Sequence, residues 1–334
     1  MTVLNVAFVG SQEFAKSIAK LNDTRDIESY VFKMEQDDEV KILSLLRPLR
    51  HPEKLRPLLS ILNVARAGIV EISKVDASLG EILVAFGCSG IENGHIIIRP
   101  ADGEWVDPEQ VKMIQQQAGL SSWTLHENPL DEHQMRTLLF AELDKLADHS
   151  AQPLVIPVDQ YFNVKGVGLV AIGYVQSGTV NKHDRLLALP TAESGVTRSL
   201  QVMDDDVDTA MAGDRVGVAM RDLREEALER GSILVHPNDD GNYNESIIKH
   251  LKSRIELVKA PFQQKEIAVG DVIHAAVDLQ FVVGRVESIE GDELEVTWDQ
   301  PLFLRLVSQP RVLINQLDAK MRLLGFSTNL TLLE

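Results

Sequence analysis

Apolar positions in the first 148 residues alternate between strand and helix periods. Val3 to Val9 is a short apolar run that stops at Gly10, the pattern of a buried strand. Phe14 to Leu21 has the spacing of a short helix. Tyr30 to Phe32 and Val40 to Leu45 read as strands around the acidic turn Gln36-Asp37-Asp38-Glu39. Pro52 to Leu62 reads as a helix, Gly68 to Ile72 as an apolar strand, Glu81 to Phe86 as the start of a further helix, and His95 to Ile98 as a buried strand. Pro108 to Ala118 and Asp131 to Leu146 follow as helices, the second with Met135, Leu138, Leu139, Leu143 and Leu146 at helical spacing. Strands alternating with helices predict a mainly parallel sheet with right-handed crossovers.

The pattern changes near Ser150-Ala151-Gln152-Pro153. Short strands then recur at Gly168 to Val175, Thr179 to Val180, Arg185 to Leu189, Thr197 to Val202 and Arg215 to Met220. Glycine and aspartate mark the turns, as at Lys165-Gly166, Ser177-Gly178 and Ala212-Gly213-Asp214, which predicts a small β-barrel or sandwich. A polar stretch, Asn238-Asp239-Asp240-Gly241-Asn242, reads as a linker. Ile248, Leu251 and Ile255 then fall at helical spacing within Glu245 to Val258. A second β section has strands at Asp271 to Val277, Phe281 to Ile289, Glu293 to Thr297 and Arg311 to Leu317, with a hairpin turn at Glu290-Gly291-Asp292. The expected division is an α/β domain over 1–149, a β-barrel over 152–238, a linker over 239–262 and a second β-barrel over 263–330.

Composition narrows the class. The chain has 334 residues, 44% hydrophobic and 25% charged, which suits a globular protein with a large core. No apolar run reaches the roughly 20 residues of a membrane helix, and Met1 to Gly10 lacks the basic start of a signal peptide. Cys88 is the single cysteine, so no internal disulfide forms and a cytoplasmic setting is expected. The net charge of −17 argues against global attraction to nucleic acid; RNA binding would need a local basic patch. Arg47, Arg50, Lys54 and Arg56 are a candidate, either a solvated helix start with Glu53 or a contact for RNA or an acidic partner. The acidic run from Asp204 to Asp206 with Asp208 lacks the glycine-centred loop and closing glutamate of a calcium site and reads as a solvated loop.

One segment has the position and length of a phosphate-binding loop. The first strand ends at Gly10 and runs through Ser11-Gln12-Glu13-Phe14-Ala15 to Lys16-Ser17 and a helix, against the pattern G-x-x-x-x-G-K-[ST]. Gly10, Lys16 and Ser17 are in register, for the β-phosphate, the β/γ oxygens and Mg²⁺ respectively. Ala15 stands where the second glycine belongs, and Glu13 adds a negative charge. Taken alone, the segment is equally an ordinary strand–turn–helix with a surface lysine.

The β sections carry a resemblance. Val158-Asp159-Gln160-Tyr161-Phe162-Asn163-Val164-Lys165-Gly166-Val167-Gly168 and Gly173-Tyr174-Val175-Gln176-Ser177-Gly178-Thr179-Val180 resemble the start of domain II of elongation factor Tu. Ala212 to Ala219 and Leu228-Glu229-Arg230-Gly231-Ser232-Ile233-Leu234 are similar to the end of that domain. Val269 to His274, Leu279 to Val286, Pro301-Leu302 and Arg322 to Gly325 look like domain III of the archaeal selenocysteine-specific factor SelB. The likeness to the translational GTPase superfamily covers nearly the whole chain. It implies a P-loop-GTPase-like α/β domain, a mainly parallel sheet with flanking helices, followed by two small β-barrels.

The resemblance says where the remaining GTPase motifs should stand. Arg47-Pro48-Leu49-Arg50-His51 takes the place of D-x-P-G-H, so only His51 matches, a vestigial catalytic candidate that also reads as a histidine at a helix start. Arg99-Pro100-Ala101-Asp102 takes the place of N-K-x-D, and only Asp102 survives to meet guanine. Asn22 to Gln36 is too short for a full first switch. Losing one charged hydrogen bond costs about 1.5–3 kcal/mol, so several losses take a micromolar site to roughly millimolar. Gly10, Lys16, Ser17 and Asp102 are thus read as a vestigial nucleotide site, with no cofactor and no metal expected, although residual GTP/Mg²⁺ binding stays open. The family implies tRNA or ribosome as partner: its domain II holds the aminoacyl end of tRNA and meets the small ribosomal subunit, and its domain III contacts the tRNA stem. No SelB-like extension follows Glu334, so a selenocysteine RNA element is not an expected partner. The rivals are a divergent active GTPase and a protein-binding scaffold that pairs with a true translation factor.

Overall fold

A computed structural model describes residues 2–36, 39–102, 104–307 and 309–333. The first domain is a seven-stranded sheet of β1 (Thr2–Val9), β2 (Lys20–Thr24), β3 (Ile27–Gln36), β4 (Glu39–Pro48), β5 (Ala67–Ile72), β6 (Gly94–Ile98) and β7 (Thr124–His126). The strand order is β2-β3-β4-β1-β5-β6-β7. From β4 to β7 every neighbour pair is parallel, while β2, β3 and β4 are antiparallel. Five helices link the strands: α1 (Gln12–Ile18), α2 (Arg56–Val64), α3 (Ala77–Ser89), α4 (Pro108–Gln117) and α5 (Glu132–Leu143). Their starts follow local capping chemistry. Asp76 caps α3 at Leu79 N, Asp107 caps α4, and Asp131 with Gln134 forms a reciprocal capping box on α5. The acidic turn expected at Gln36-Asp37-Asp38-Glu39 lies at Asp37 and Asp38 outside the described residues.

Strand β1 is buried along most of its length because helices cover both faces of the sheet. On one face α1 and α5 pack through Phe14, Ile18, Met135 and Leu139 against Val6, Phe8 and Leu45. On the other, α2 and α3 pack against Ala7 and Val70, and their outer sides meet Ala276, Leu279, Leu313 and Leu323 of the third domain. The core therefore runs through the domain boundary. The same holds at the second domain, whose core takes in Val3 and Ile42 of the first.

The second domain closes as an antiparallel barrel. Its strands at Arg185–Leu189, Ile233–Val235, Ile156–Val164, Gly168–Tyr174, Arg215–Arg221 and Glu193–Val202 pair in that order, and the first pairs again with the last. The third domain is an eight-stranded antiparallel half-barrel. Two expectations fail here. Glu245 to Val258 is not a helix: Ile247–Glu256 is a strand, followed by a two-residue strand at Val258–Lys259. Both belong to the third-domain sheet, so most of the expected 239–262 linker is part of that domain.

Trp123 shows how tightly the first sheet is covered. Its ring lies across Gly68 on β5 and Gly94 on β6, where a Cβ would sit 2.2 Å and 2.4 Å from ring atoms. Its indole N–H donates to the Ile91 carbonyl at 3.0 Å, and Phe86 meets the ring edge-on at 5.0 Å. Gly94→Ala is expected to cost about 1–3 kcal/mol by overpacking. Gly80→Ala, within α3 and open to space, should be neutral or stabilising by about 0.5–1 kcal/mol. Urea unfolding followed by tryptophan fluorescence checks both.

Candidate functional site

The turn from β1 to α1 is where a phosphate-binding loop would lie, and here it is short. Helix α1 begins at Gln12, capped by Ser11, whose Oγ accepts from Phe14 N at 3.2 Å. Ala15 N donates to the Ser11 carbonyl at 3.2 Å. The Phe14 and Ala15 amides are thus bonded inside the helix, and both side chains are buried. An open glycine-rich loop would instead present such amides to an anion.

A protein carboxylate occupies the space beside this turn. Glu71, near the end of β5, accepts from Ser11 N through Oε2 at 2.5 Å. A Cβ on Gly10 would come within 2.8 Å of both Cβ and Oε2 of Glu71. The arginines that replace family residues close around this carboxylate and its neighbours. Arg99 places a nitrogen 3.8 Å from Glu71 Oε1 and stacks its guanidinium over the Phe14 ring at 4.7 Å. Arg47 donates through Nε to the Gly10 carbonyl at 2.8 Å and through NH1 to Glu28 at 2.9 Å. Glu28 is buried and also accepts from Tyr30 at 2.6 Å and Gln12 at 2.9 Å. Burial works against its ionisation, but the bonds from Tyr30, Arg47 and Gln12 hold its pKa below the usual glutamate value. Burial and the Glu28 charge push the Tyr30 hydroxyl up to about 12.

The predicted site residues are not brought together around one empty space. Gly10 is enclosed by Glu71 and Arg47. Lys16 points to solvent, donates to Gln12 of its own helix at 3.0 Å, and faces an open cleft with Lys20, Lys33 and Arg136. Ser17 donates to the Phe14 carbonyl at 2.8 Å, so its hydroxyl is turned into the helix. Asp102 is exposed in the loop after β6 and takes no part in this network among the described residues. The basic cluster is dispersed: Arg47 turns inward, Arg50 and Lys54 are exposed, and Arg56 stacks over Phe281 of the third domain at 5.4 Å.

His51 is not simply a histidine at a helix start. Its Nε2 donates to Glu81 Oε2 at 2.9 Å, and its side chain is buried in the seam between the first and third domains. Glu81, on α3, also accepts both arms of Arg322 from the third domain, at 2.9 Å and 2.5 Å.

The segment expected to be a shortened first switch is the hairpin β2–β3, and it is tied to the second domain. Asp23 pairs with Arg215 at 3.5 Å, Asp26 with Arg230, and Lys33 with Asp205 at 2.7 Å. Arg230 also reaches the buried Asp159 at 3.3 Å. Burial pushes Asp159 up even against the nearby Arg230 and Arg215 charges. The acidic run therefore serves in part as an anchor, through Asp205 to Lys33, and Asp208 pairs with Lys182. Among the described residues no group of three or more His, Cys, Asp and Glu side chains is arranged to hold a metal.

A second surface lies on the outside of the barrel. Half-buried Phe162, Val164, Val170 and Ile172 line a cavity of about 710 Å³, whose charged lining is Lys182, Arg198 and Arg215 together with Asp204 and Asp206. Sequence reading placed this segment in the second domain and did not single out its outward apolar row. Glu71 was missed as well, although one carboxylate inside the apolar run Gly68 to Ile72 was a readable signal.

Residues 168–235 match the family Elongation factor Tu domain 2. An uncharacterized protein of Methanocaldococcus jannaschii is 31% identical over 326 residues, covering 97% of this chain and 99% of the relative. The selenocysteine-specific elongation factor of the same organism is 32% identical over 140 residues, 41% of this chain and 30% of that one. In structure, the apo form of translation elongation factor SelB from Methanococcus maripaludis aligns with a TM-score of 0.78 at 19% identity. That alignment covers 97% of this chain and 78% of SelB.

Glu81 yields a pH prediction. Burial opposes its ionisation, but hydrogen bonds from His51 and Arg322 and the Arg322 charge outweigh this and hold its pKa at about 2 rather than 4.5. A carboxyl depressed by folding adds stability above its unfolded pKa and loses it as pH falls through the folded one. The seam should therefore weaken between pH 4.5 and about 2. Glu81→Gln should remove that part of the acid sensitivity, of order 1–2 kcal/mol after solvent screening, in denaturation curves taken across this range.

Proposed function

The chain belongs to the translational GTPase superfamily, among proteins of the elongation factor Tu and SelB type, and from that premise we propose that it binds RNA of the translation apparatus without family-type GTP hydrolysis. The observation that carries the reading is the hairpin β2–β3. A nucleotide-driven switch must leave one set of contacts for another as the nucleotide changes. Here the equivalent segment is a closed hairpin held by ion pairs to the second domain.

The β1–α1 turn supports the same reading, because its residues do not fit a nucleotide triphosphate with magnesium. Glu71 sets a negative charge against the first amide of the turn, and the Ser17 hydroxyl is spent on Phe14. Arg47 stands where a metal-holding carboxylate is needed, and Arg99 stacks on Phe14 where an asparagine would read guanine. A like charge in place of a ligand's own counter-charge penalises binding by several kcal/mol. No hydrolytic step is assigned to this chain.

RNA binding is read from the second domain. In the family, this domain holds the aminoacyl end of tRNA, and the outer cavity here offers an aromatic ring, an apolar floor and three cations, with Asp204 and Asp206 also in its lining. Phe162 is suited to stack a base, and Arg198 and Lys182 to meet phosphates. Translation would place the chain in the cytoplasm; among the described residues no helix is long and apolar enough to cross a membrane.

Titration with a fluorescent GTP analogue and magnesium is expected to show no saturation in the micromolar range. Micromolar binding abolished by Lys16→Ala would instead support a divergent active GTPase. In a pull-down from cell extract with RNA sequencing and mass spectrometry, tRNA or ribosomal RNA is expected among the recovered species. Phe162→Ala should then weaken tRNA binding by about 1–3 kcal/mol, the contribution of one base stacked on an aromatic ring. Recovery of protein without RNA would favour a scaffold.

A further inference from the structure

A cleft of about 580 Å³ opens where all three domains meet, away from the β1–α1 turn and from the outer cavity of the barrel. Its walls come from the ends of α2 and α3, the segment after α5, Gln176 of the second domain and Arg305, Gln309, Pro310, Arg311 and Thr328 of the third. Arg66, Lys145, His149, Arg305 and Arg311 line it, against Glu92 as the one carboxylate in the lining among the described residues. In a chain with a net charge of −17 this is a local reversal of sign.

The partners of these cations say which are compensated. Arg305 is buried and paired with Asp278 at 3.0 Å, and Lys145 reaches Glu142 at 3.3 Å. Arg66 and Arg311 have no carboxylate within ion-pair distance among the described residues. Arg66 bonds only carbonyl oxygens, of Ala147 at 3.4 Å and Gln176 at 3.3 Å. Arg311 donates to the Gly87 carbonyl at 3.1 Å, stacks over Phe326 at 4.3 Å, and lies against Gly90. Carbonyls orient a guanidinium without forming an ion pair, and Asp148 acts on Arg66 only from beyond ion-pair distance. Burial, followed by the neighbouring Arg305, depresses the pKa of Arg66, the mark of a cation held beside a like charge out of water.

We propose that this cleft binds a phosphate-bearing small molecule, gripped by Arg66 from the first domain and Arg311 from the third. Guanidinium forks suit phosphate oxygens because several donors meet one multiply charged group. The volume exceeds that of a single inorganic ion and falls within the range of small-molecule sites. Asn63, Asn93 and Thr328 add neutral donors and acceptors at the rim for the uncharged part of a ligand. A ligand seated here touches all three domains, so its binding stabilises their arrangement by mass action. This site stands independently of the reading of the second domain as an RNA contact.

Calorimetric titration of the full chain with inorganic pyrophosphate at low ionic strength tests the proposal, with citrate as a multivalent anion lacking phosphate. The expected result is saturable pyrophosphate binding with a rise in Tm, at least tenfold weaker in Arg66→Gln and in Arg311→Gln and largely retained in Arg66→Lys. Asn63→Asp, which adds a carboxylate at the rim and leaves both arginines in place, should also weaken it and guards against misfolding of the arginine variants. A short 5′-phosphorylated RNA serves as competitor. Failure to displace pyrophosphate supports a small-molecule ligand, and displacement overturns that source in favour of RNA phosphate. Absence of pyrophosphate binding, equal binding of citrate, or affinity unchanged in all the variants overturns the site itself.

Discussion

Partly buried charge along the seams between domains fixes what this molecule can do. Arg230 lies between Asp26 of the hairpin and the buried Asp159 of the barrel, and Arg215 reaches Asp23 beside it. An exposed pair such as Lys33 with Asp205 adds about 0–1 kcal/mol. Removing one partner of a buried pair costs about 3–5 kcal/mol, because the other is left uncompensated out of water. Swinging the first domain away from the second would break the Arg215–Asp23 and Arg230–Asp26 pairs, while Arg230 would keep Asp159 within the barrel. These pairs favour the docked hairpin, and Glu81 with Arg322 joins the first domain to the third in the same way.

The β1–α1 turn fits this rigidity. A site that binds a phosphate must keep amides uncommitted and tolerate the strain of an open loop. Here the helix starts early, its amides bond within the chain, and Glu71 supplies an internal anion that Arg99 approaches. Arg47, bonded to both Gly10 and Glu28, ties the end of β4 to the end of β1. Arg47 and Arg99 have each acquired structural partners around Gly10, Glu28, Glu71 and Phe14, so reversal of one of them would not restore an open loop.

Much of the architecture was legible because it rests on periodicity. Val3–Val9 is apolar but for Asn5 and lies in the middle of the sheet, and the barrel strands were marked by glycine and aspartate turns. The failed helix at 245–258 has a specific cause. A register shift between His250 and Lys252 breaks the two-residue alternation of the strand, so its buried positions are Ile247, His250, Ser253 and Ile255. The helical reading rested on Ile248, Leu251 and Ile255, of which only Ile255 is buried and Leu251 is exposed. In the same way Phe14 to Leu21 ran a helix into an edge strand, since α1 stops at Ile18 and β2 begins at Lys20. At the site, the identities at 47, 51 and 99 were readable but their new partners were not. Glu28, Glu71, Glu81 and Arg322 are distant in sequence, and no local pattern announces a pair formed across a sheet or a domain seam.

The acidity of the chain bears differently on encounter and on contact. At physiological ionic strength a charge is screened beyond about 8 Å. A net charge of −17 spread over the surface slows the approach of a polyanion, whereas a contact is decided by the groups within that distance. Arg198 and Lys182 at the barrel cavity, and Arg66 and Arg311 at the three-domain cleft, are such groups. Arg198 is held by the carbonyls of Gly166 and Val167, and Lys182 by Asp208, so the barrel cations are oriented before any partner arrives. Fixed cations lose little side-chain entropy on binding. If the proposed contacts hold, an acidic body with a few pre-set cations would discriminate by where an anion can reach, against polyanions that offer charge without the matching shape.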